Sequence, residues 1–224
     1  MNTIDQLRQL MSLDDNMNTI DIEKRFEQIA KMLFESFAIQ KGETMYLFKD
    51  IEFYFYNKNH RDIITHPRES RPLCWYVNDF GGIDLNFESC IKLENKVNSK
   101  GKKVLKYVLD DDAYFGGILI RQLEVKESGE ILNGPLACAE LFRSYEATGY
   151  SMNKDLPLLV EHDNGKAEYN PPMCRVNLLS SKQNEVGKVN NILYQYQDNV
   201  QPSKETLYQD FKDFKNKHYR YEKR

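Results

Sequence analysis

The spacing of the apolar residues changes from a helical to a strand-like period after residue 44, and this change constrains the fold most. Apolar residues recur every three or four positions from about residue 20 to residue 37, which predicts an amphipathic helix. The stretch MYLFKDIEFYFY, at positions 45–56, is rich in aromatic and β-branched residues and alternates with period two, which predicts strands. Helices followed by mainly antiparallel strands, then by a helix and more strands, predict an α+β fold.

The remaining pattern predicts the other elements and one domain. We expect a short helix at 3–13, a hairpin turn at Lys49–Asp50 inside MYLFKDIEFYFY, and strands at WYVNDF, IDLNFES and FGGILIRQLEV. KLENKVNSKGKKV predicts an exposed hairpin, and NGPLACAELFRSY predicts a helix that begins at its proline. MCRVNLLSSK is a candidate strand, and EVGKVNNILYQY is either a strand or a helix. Residues 1–18 are expected to form an N-terminal helical arm, and residues 203–224 a C-terminal helix with a basic tail.

Composition and charge argue against a general phosphate-binding protein, a disulfide-bonded protein and a membrane-spanning protein. The chain has 224 residues and a net charge of −3, which argues against a broad phosphate-binding surface and leaves a local basic groove open. The four cysteines are too far apart for a CxxC motif, so we expect reduced thiols of a cytoplasmic protein. The N-terminus has no apolar segment of signal-peptide length, and no stretch reaches the ~20 apolar residues that span a bilayer, so we expect no membrane partner.

The stretch IEFYFY, at positions 51–56, is the first candidate for chemistry. Strand alternation places Glu52, Tyr54 and Tyr56 on one face and Phe53 and Phe55 on the other. A carboxylate beside aromatic rings suits an enzyme that acts on an extruded base, because the rings stack on the base and the acid activates a water. The alternative is a half-buried edge strand whose polar face lies in water.

Arg121 lies inside the apolar strand ILIRQLE, where a charged side chain requires a partner. Glu52 is a plausible partner if the two strands are neighbours in the sheet. The pair would then hold a water in a pocket whose walls include Tyr54, Tyr56 and Trp75. The alternative is an ion pair with a purely structural role.

The segment from His60 to Phe87 contains further candidates. His66 is suited to holding a phosphate or a base edge next to Arg68, or it is a histidine whose hydrogen bonds are made by loop backbone. The spacing of His60, Asp62 and His66 does not match a familiar zinc motif, so we expect no metal site. The glycine motifs of nucleotide cofactors are absent. The basic, aromatic tail KNKHYRYEKR contacts nucleic acid or is a solvated, frayed helix end.

The order of these segments resembles that of the alkyladenine (methylpurine) DNA glycosylases. The segments are IEFYFY, THPR, WYVNDFGGIDLN, ILIRQLEV and NGPLACAELF, and the resemblance covers residues 20–142. It implies a mixed, mainly antiparallel curved sheet flanked by helices, duplex DNA as the partner, and hydrolytic excision of a flipped damaged purine. Such a monofunctional enzyme requires no metal and no cofactor.

The resemblance also assigns roles to single positions. Tyr56 matches a base-stacking tyrosine, His66 a histidine that contacts the flipped base, Asn86 an asparagine that discriminates among bases, and Arg121 an arginine beside the catalytic water. Tyr54 occupies the position of the family's catalytic glutamate, and Glu52 matches an acid two residues earlier.

The candidate set from the sequence combines these positions with those from the residue patterns. The catalytic residues are Glu52 and Arg121, and the substrate-binding residues are Tyr54, Tyr56, His66, Arg68, Trp75 and Asn86. A binding domain without catalysis, for a small ligand, a protein or a single strand, is the alternative. In that case IEFYFY and WYVNDF supply an aromatic platform, and Arg68 and Arg71 hold an anion.

Overall fold

Two helices are followed by a long run of strands and then by helices and short strands in the described part of the chain, an order that confirms the α+β class. The computed structural model describes residues 2–78, 81–98, 100–142, 156–176, 178, 185–196 and 202–224. The helices are α1 Thr3–Met11, α2 Thr19–Ser36, α3 Gly134–Phe142, α4 Glu185–Leu193 and α5 Lys204–Lys215. The strands are β1 Phe37–Lys41, β2 Thr44–Asn57, β3 His60–Arg61, β4 Trp75–Val77, β5 Ile83–Asn86, β6 Lys92–Val97, β7 Lys103–Val108, β8 Phe115–Val125, β9 Ile131–Asn133, β10 Leu158–Glu161 and β11 Arg220–Glu222.

One curved antiparallel sheet contains nine of the described strands. Its main order is β10-β1-β2-β8-β5-β4, and the short strands β3 and β11 pair with β2 while β9 pairs with β8. The strands β6 and β7 form a separate two-stranded ribbon, as the sequence predicts. EVGKVNNILYQY begins as helix α4. MCRVNLLSSK lies partly outside the described residues, and its Met173 forms a single bridge to Arg220.

The two N-terminal helices cover the apolar face of the sheet. Asn18 caps α2, because its side-chain oxygen accepts a hydrogen bond from the Asp21 amide, and Asn2 caps α1 in the same way. The buried face of α2 consists of Ile22, Phe26, Ile29, Ala30, Leu33 and Phe34, which follow the predicted helical spacing. Within the described residues, no helix has the length and apolar content that crossing a bilayer requires.

Strand β2 runs without a break through Lys49 and Asp50, so the predicted hairpin turn there is wrong. The chain instead reverses at Gly42, whose φ of +58° lies in the left-handed region, between β1 and β2. At Lys49 and Asp50 the pairing of β2 with β8 shifts its register, on both sides of Asp50. These bulges bend the strand but do not end it, because pairing resumes at Ile51.

The C-terminal segment is part of the sheet, contrary to the expected solvated tail. After helix α5, strand β11 pairs with β2 through Arg220↔Glu52, Tyr221↔Ile51 and Glu222↔Asp50. Tyr219 and Tyr221 are each 3% exposed. Their rings therefore belong to the core and are not available to stack on a base.

His60 lies in the core with no exposed surface. The rings of Phe26, Phe214 and Tyr219 surround its imidazole at centroid distances of 6.2, 4.8 and 5.7 Å. Its Nδ1 lies 3.2 Å from the Thr19 hydroxyl. Burial, reinforced by the positive charge of Arg175, holds the pKa of His60 well below 6.5.

We predict that His60→Gln makes stability less sensitive to acid. As the pH falls below about 6.5, the imidazole binds a proton in the unfolded chain but stays neutral in the folded one, so wild type loses up to about 1.4 kcal/mol per pH unit. The free energy of unfolding in urea, measured from pH 7 to pH 5, should show this loss in wild type and a shallower slope in the variant. Parallel slopes would contradict the prediction.

Candidate ligand-binding pocket

A cavity of about 520 Å³ opens on the face of the sheet opposite helix α2. Its walls come from β2, β5, β8 and β11, from the segment 64–68, and from the first residues of helix α3. Charged and polar side chains from five separate parts of the chain meet there: Tyr54, His66, Arg68, Asp84, Arg121 and Arg220. The volume is within the range typical of sites for small molecules.

Arg121 is the bulged residue of β8, and ordinary strand alternation places it on the cavity face together with Leu119. Ile120 pairs with Ile51 and Gln122 pairs with Asp50, so Arg121 has no opposite residue on β2. Alternation therefore slips by one position, and both Arg121 and Gln122 line the cavity. The Arg121 side chain is 26% exposed, and its Nε lies 3.8 Å from Glu52 Oε1. The predicted proximity of Glu52 and Arg121 is thus present, at a distance longer than a hydrogen bond.

Glu52 is completely buried, and protein donors occupy both of its carboxylate oxygens. The Tyr54 hydroxyl donates to Oε2 over 2.7 Å, and the Val176 amide donates to Oε1 over 2.8 Å. Burial raises the pKa of Glu52, while these two hydrogen bonds and Arg121 lower it in part. Tyr54 and Val176 line the cavity, whereas Glu52 lies behind them. A ligand in the cavity therefore meets the Tyr54 hydroxyl before it meets the carboxylate.

A second carboxylate, Asp50, is held by the C-terminal strand. Arg220 Nε lies 3.0 Å from both oxygens of Asp50, and Arg220 Nη2 donates to Oδ2 over 2.6 Å. Burial raises the pKa of Asp50, and its hydrogen bonds with Arg220 oppose that rise. The positive charge of Arg220 is thus matched by a carboxylate within the cavity wall.

Arg68 is likewise matched by a carboxylate. Its Nη1 donates to Asp84 Oδ2 over 2.5 Å, and its guanidinium carbon lies 4.5 Å from the centre of the Tyr76 ring. Gly117 makes room for this pair, because a Cβ there would lie 2.6 Å from Arg68 Nη2. Arg68 is therefore held in the wall with its positive charge matched by Asp84, and its role toward a substrate stays a prediction.

Tyr54 is fixed by a buried ion pair beneath it. The Arg175 guanidinium carbon lies 4.6 Å from the centre of the Tyr54 ring, and Arg175 donates to both oxygens of Asp62. Burial and the neighbouring charge of Glu52 raise the pKa of Tyr54 well above its usual value. Its hydroxyl therefore stays protonated and serves as a hydrogen-bond donor to Glu52.

Three predicted substrate contacts lie away from the cavity. Tyr56 is buried with its ring centroid 5.2 Å from that of Phe115, and the Trp75 indole donates to the Pro157 carbonyl over 2.9 Å. The Asn86 amide donates to the Ser70 hydroxyl over 2.8 Å. None of the three is among the described residues that line the cavity. Their roles toward a substrate stay predictions.

His60, Asp62 and His66 lie in three different surroundings. The described residues include no group of three or more histidine, cysteine or acidic side chains placed to hold a metal ion. His60 is in the aromatic core, Asp62 binds Arg175, and His66 lines the cavity. The aromatic residues of IEFYFY are mostly internal, so they provide no exposed platform.

Comparisons with protein-family models, curated proteins and solved structures find no match to this chain. The resemblance to alkyladenine DNA glycosylases therefore rests on the order of short segments in the sequence and stays a prediction. The chemical features of the cavity are the guanidinium of Arg121, the buried carboxylate of Glu52 and the Tyr54 hydroxyl that covers it.

Proposed function

We propose that the chain binds a small molecule with an anionic group in this cavity and that Arg121 is the residue that holds the anion. The proposal rests on the position of Arg121 in the cavity wall and on its unused hydrogen-bond donors. Its guanidinium faces the cavity, and no residue in the described part of the chain accepts a hydrogen bond from it. An arginine fork with unused donors is suited to a carboxylate or phosphate group.

The carboxylates around the cavity favour Arg121 over the other two arginines as the residue that holds the anion. Arg68 and Arg220 each have a carboxylate partner within hydrogen-bond distance. The carboxylate nearest to Arg121, that of Glu52, is directed to Tyr54 and Val176 instead. Of the described arginines that line the cavity, Arg121 is thus the one without a hydrogen-bonded carboxylate with which an incoming anion would compete.

We predict that Arg121→Gln weakens binding of the ligand at least about tenfold, because a hydrogen bond to a charged group contributes about 1.5–3 kcal/mol. Calorimetric titration with inorganic phosphate, nucleoside monophosphates and small carboxylates would identify the ligand and measure the loss. Arg71→Gln is the matched control, since Arg71 is exposed and lies outside the cavity. Equal affinity in the Arg121 and Arg71 variants, or no binding of any of these anions by wild type, would contradict the proposal.

A second candidate function is hydrolytic excision of a flipped damaged purine from duplex DNA. The observation that favours it is a buried carboxylate, Glu52, whose pKa is raised, within 3.8 Å of an arginine in the cavity wall. Under this second proposal the chain has a methylpurine-glycosylase-like fold, and the reaction uses no metal or cofactor. It requires the Tyr54 hydroxyl to move, because only then does Glu52 Oε2 meet a water in the cavity.

For this second function we predict that Glu52→Gln lowers base release at least about 100-fold, the usual contribution of a general base. The assay uses duplex DNA that carries alkylated or deaminated purines, with the released base measured by chromatography. Tyr54→Phe should retain release, since it uncovers the Glu52 oxygen and keeps the ring. Undiminished release by the Glu52→Gln protein would reveal a contaminating enzyme, and no release by wild type would remove this function.

A further inference from the structure

The strands β6 and β7 form a ribbon that is separate from the main sheet, and in the described part of the chain its backbone is tied near the base to the residues that follow helix α4. Its six ladder pairs run from Lys92↔Val108 to Val97↔Lys103. At the base, the Tyr107 amide donates to the Gln195 carbonyl over 3.0 Å, and Tyr107 bridges to Tyr196. Two six-residue strands extend about 20 Å. An uncovered two-stranded ribbon of this kind is marginally stable in water unless something packs against it.

One face of the ribbon carries exposed aliphatic side chains. The register places Leu93, Val97 and Leu105 on the same face, because residues opposite each other in a ladder point to the same side. These three side chains are 45%, 67% and 62% exposed. Exposure is largest near the turn, which is the part farthest from the body of the protein.

The turn of the ribbon is strongly basic. Residues 92–108 contain six lysines and one glutamate, a net charge of +5 in a chain whose total is −3. Lys92 pairs with Asp110 at the base, and Lys106 lies over the Tyr194 ring. Lys100, Lys102 and Lys103 surround the turn, and none of them has an ion-pair partner in the described part of the chain.

We propose that this ribbon docks on the surface of a membrane that contains anionic phospholipids. Leu93, Val97 and Leu105 would enter the boundary between headgroups and acyl chains, and the three turn lysines would bind the lipid phosphates. This mode of contact needs no spanning segment, and it is independent of the cavity.

A lipid surface explains the ribbon better than a nucleic acid does. Side chains that read base edges are mainly arginine, asparagine and glutamine, and those that stack on bases are aromatic. The exposed face here presents three aliphatic side chains and one amide, Asn95, while Oδ1 of Asn98 at the turn accepts from the amides of Lys100 and Lys102. Hydrocarbon and phosphate next to each other match aliphatic side chains flanked by lysines.

Sedimentation with lipid vesicles tests the proposal. Wild type should bind vesicles of phosphatidylcholine with phosphatidylserine, bind pure phosphatidylcholine weakly, and dissociate as salt is raised. Substituting Lys100, Lys102 and Lys103 together by glutamine should lower the partition coefficient about 100-fold, since each lysine near the surface contributes several-fold. Val97→Ser with Leu105→Ser should lower it about tenfold. Circular dichroism would show that both variants fold.

A triple variant of exposed lysines elsewhere serves as the matched control. Replacing Lys31, Lys166 and Lys212 by glutamine changes the net charge equally and leaves the ribbon intact. Loss of vesicle binding in the ribbon variant alone supports the proposal. Equal loss in both triple variants, or no binding of wild type to anionic vesicles, overturns it. Lysine-dependent binding of a short DNA duplex without vesicle binding also overturns it and assigns the ribbon to nucleic acid.

Discussion

Replacing Gly116 by alanine is expected to destabilise the protein by about 3 kcal/mol or more. Gly116 lies in β8 opposite Phe55 of β2, in the longest strand pair of the sheet. A Cβ at this position would fall on the Tyr54 carbonyl oxygen and within 2.8 Å of the Phe55 Cα. Both neighbours are backbone atoms of the central strand, so the clash can be relieved only by moving the two strands apart.

The measurement is the free energy of unfolding in urea, and Gly134→Ala is the control. A Cβ on Gly134 would meet the Ile120 carbonyl oxygen at 3.4 Å, which is an ordinary contact, so that variant should stay within about 0.5 kcal/mol of wild type. A Gly116→Ala protein as stable as the control would show that β2 and β8 do not approach as closely as described.

Removing one member of the Asp62–Arg175 pair is expected to cause the second large loss of stability. Both side chains are completely buried, and the Arg175 Nη1 lies 2.5 Å from Asp62 Oδ2. Asp62→Ala leaves the guanidinium in the core without its counter-charge, for which we expect a loss of about 3–5 kcal/mol. Because Arg175 also lies over the Tyr54 ring, the same substitution should loosen the wall of the cavity.

A double-mutant cycle separates the charge effect from the packing effect. Asp62→Asn with Arg175→Met removes both charges, so the double variant should lose less stability than the two single variants added together. Urea unfolding of the four proteins gives the coupling energy. Additive losses would mean that the pair contributes only through the volume of its side chains.

The sequence predicts the regular elements well where local pattern decides them. The α2 helix, the β8 strand and the β6–β7 hairpin follow from periodicity and turn residues. The predicted turn at Lys49–Asp50 failed because a polar pair inside a strand signals a turn and a bulge equally well. Which of them forms depends on β8, whose own bulge at Arg121 compensates the shift, and that pairing is not a local property.

The same reasoning explains which parts of the cavity the sequence predicts. A charge inside the apolar strand ILIRQLE pointed to an acidic neighbour, and the structure brings Glu52 near Arg121. Arg220 was missed because it lies in a segment that was interpreted as a tail, although the alternation in HYRYE is that of a short strand. Arg175 gave no signal, because its partner is 113 positions away and nothing local to either residue indicates the pair.

Strand β11 makes the cavity dependent on the most distant part of the chain. Arg220 and Asp50 are 170 positions apart, so their contact closes a very long loop. The part of the cavity wall that Arg220 provides therefore depends on the docking of the last strand, and a ligand that contacts Arg220 stabilises the docked strand. Binding of such a ligand should for this reason also protect strand β11 against proteases.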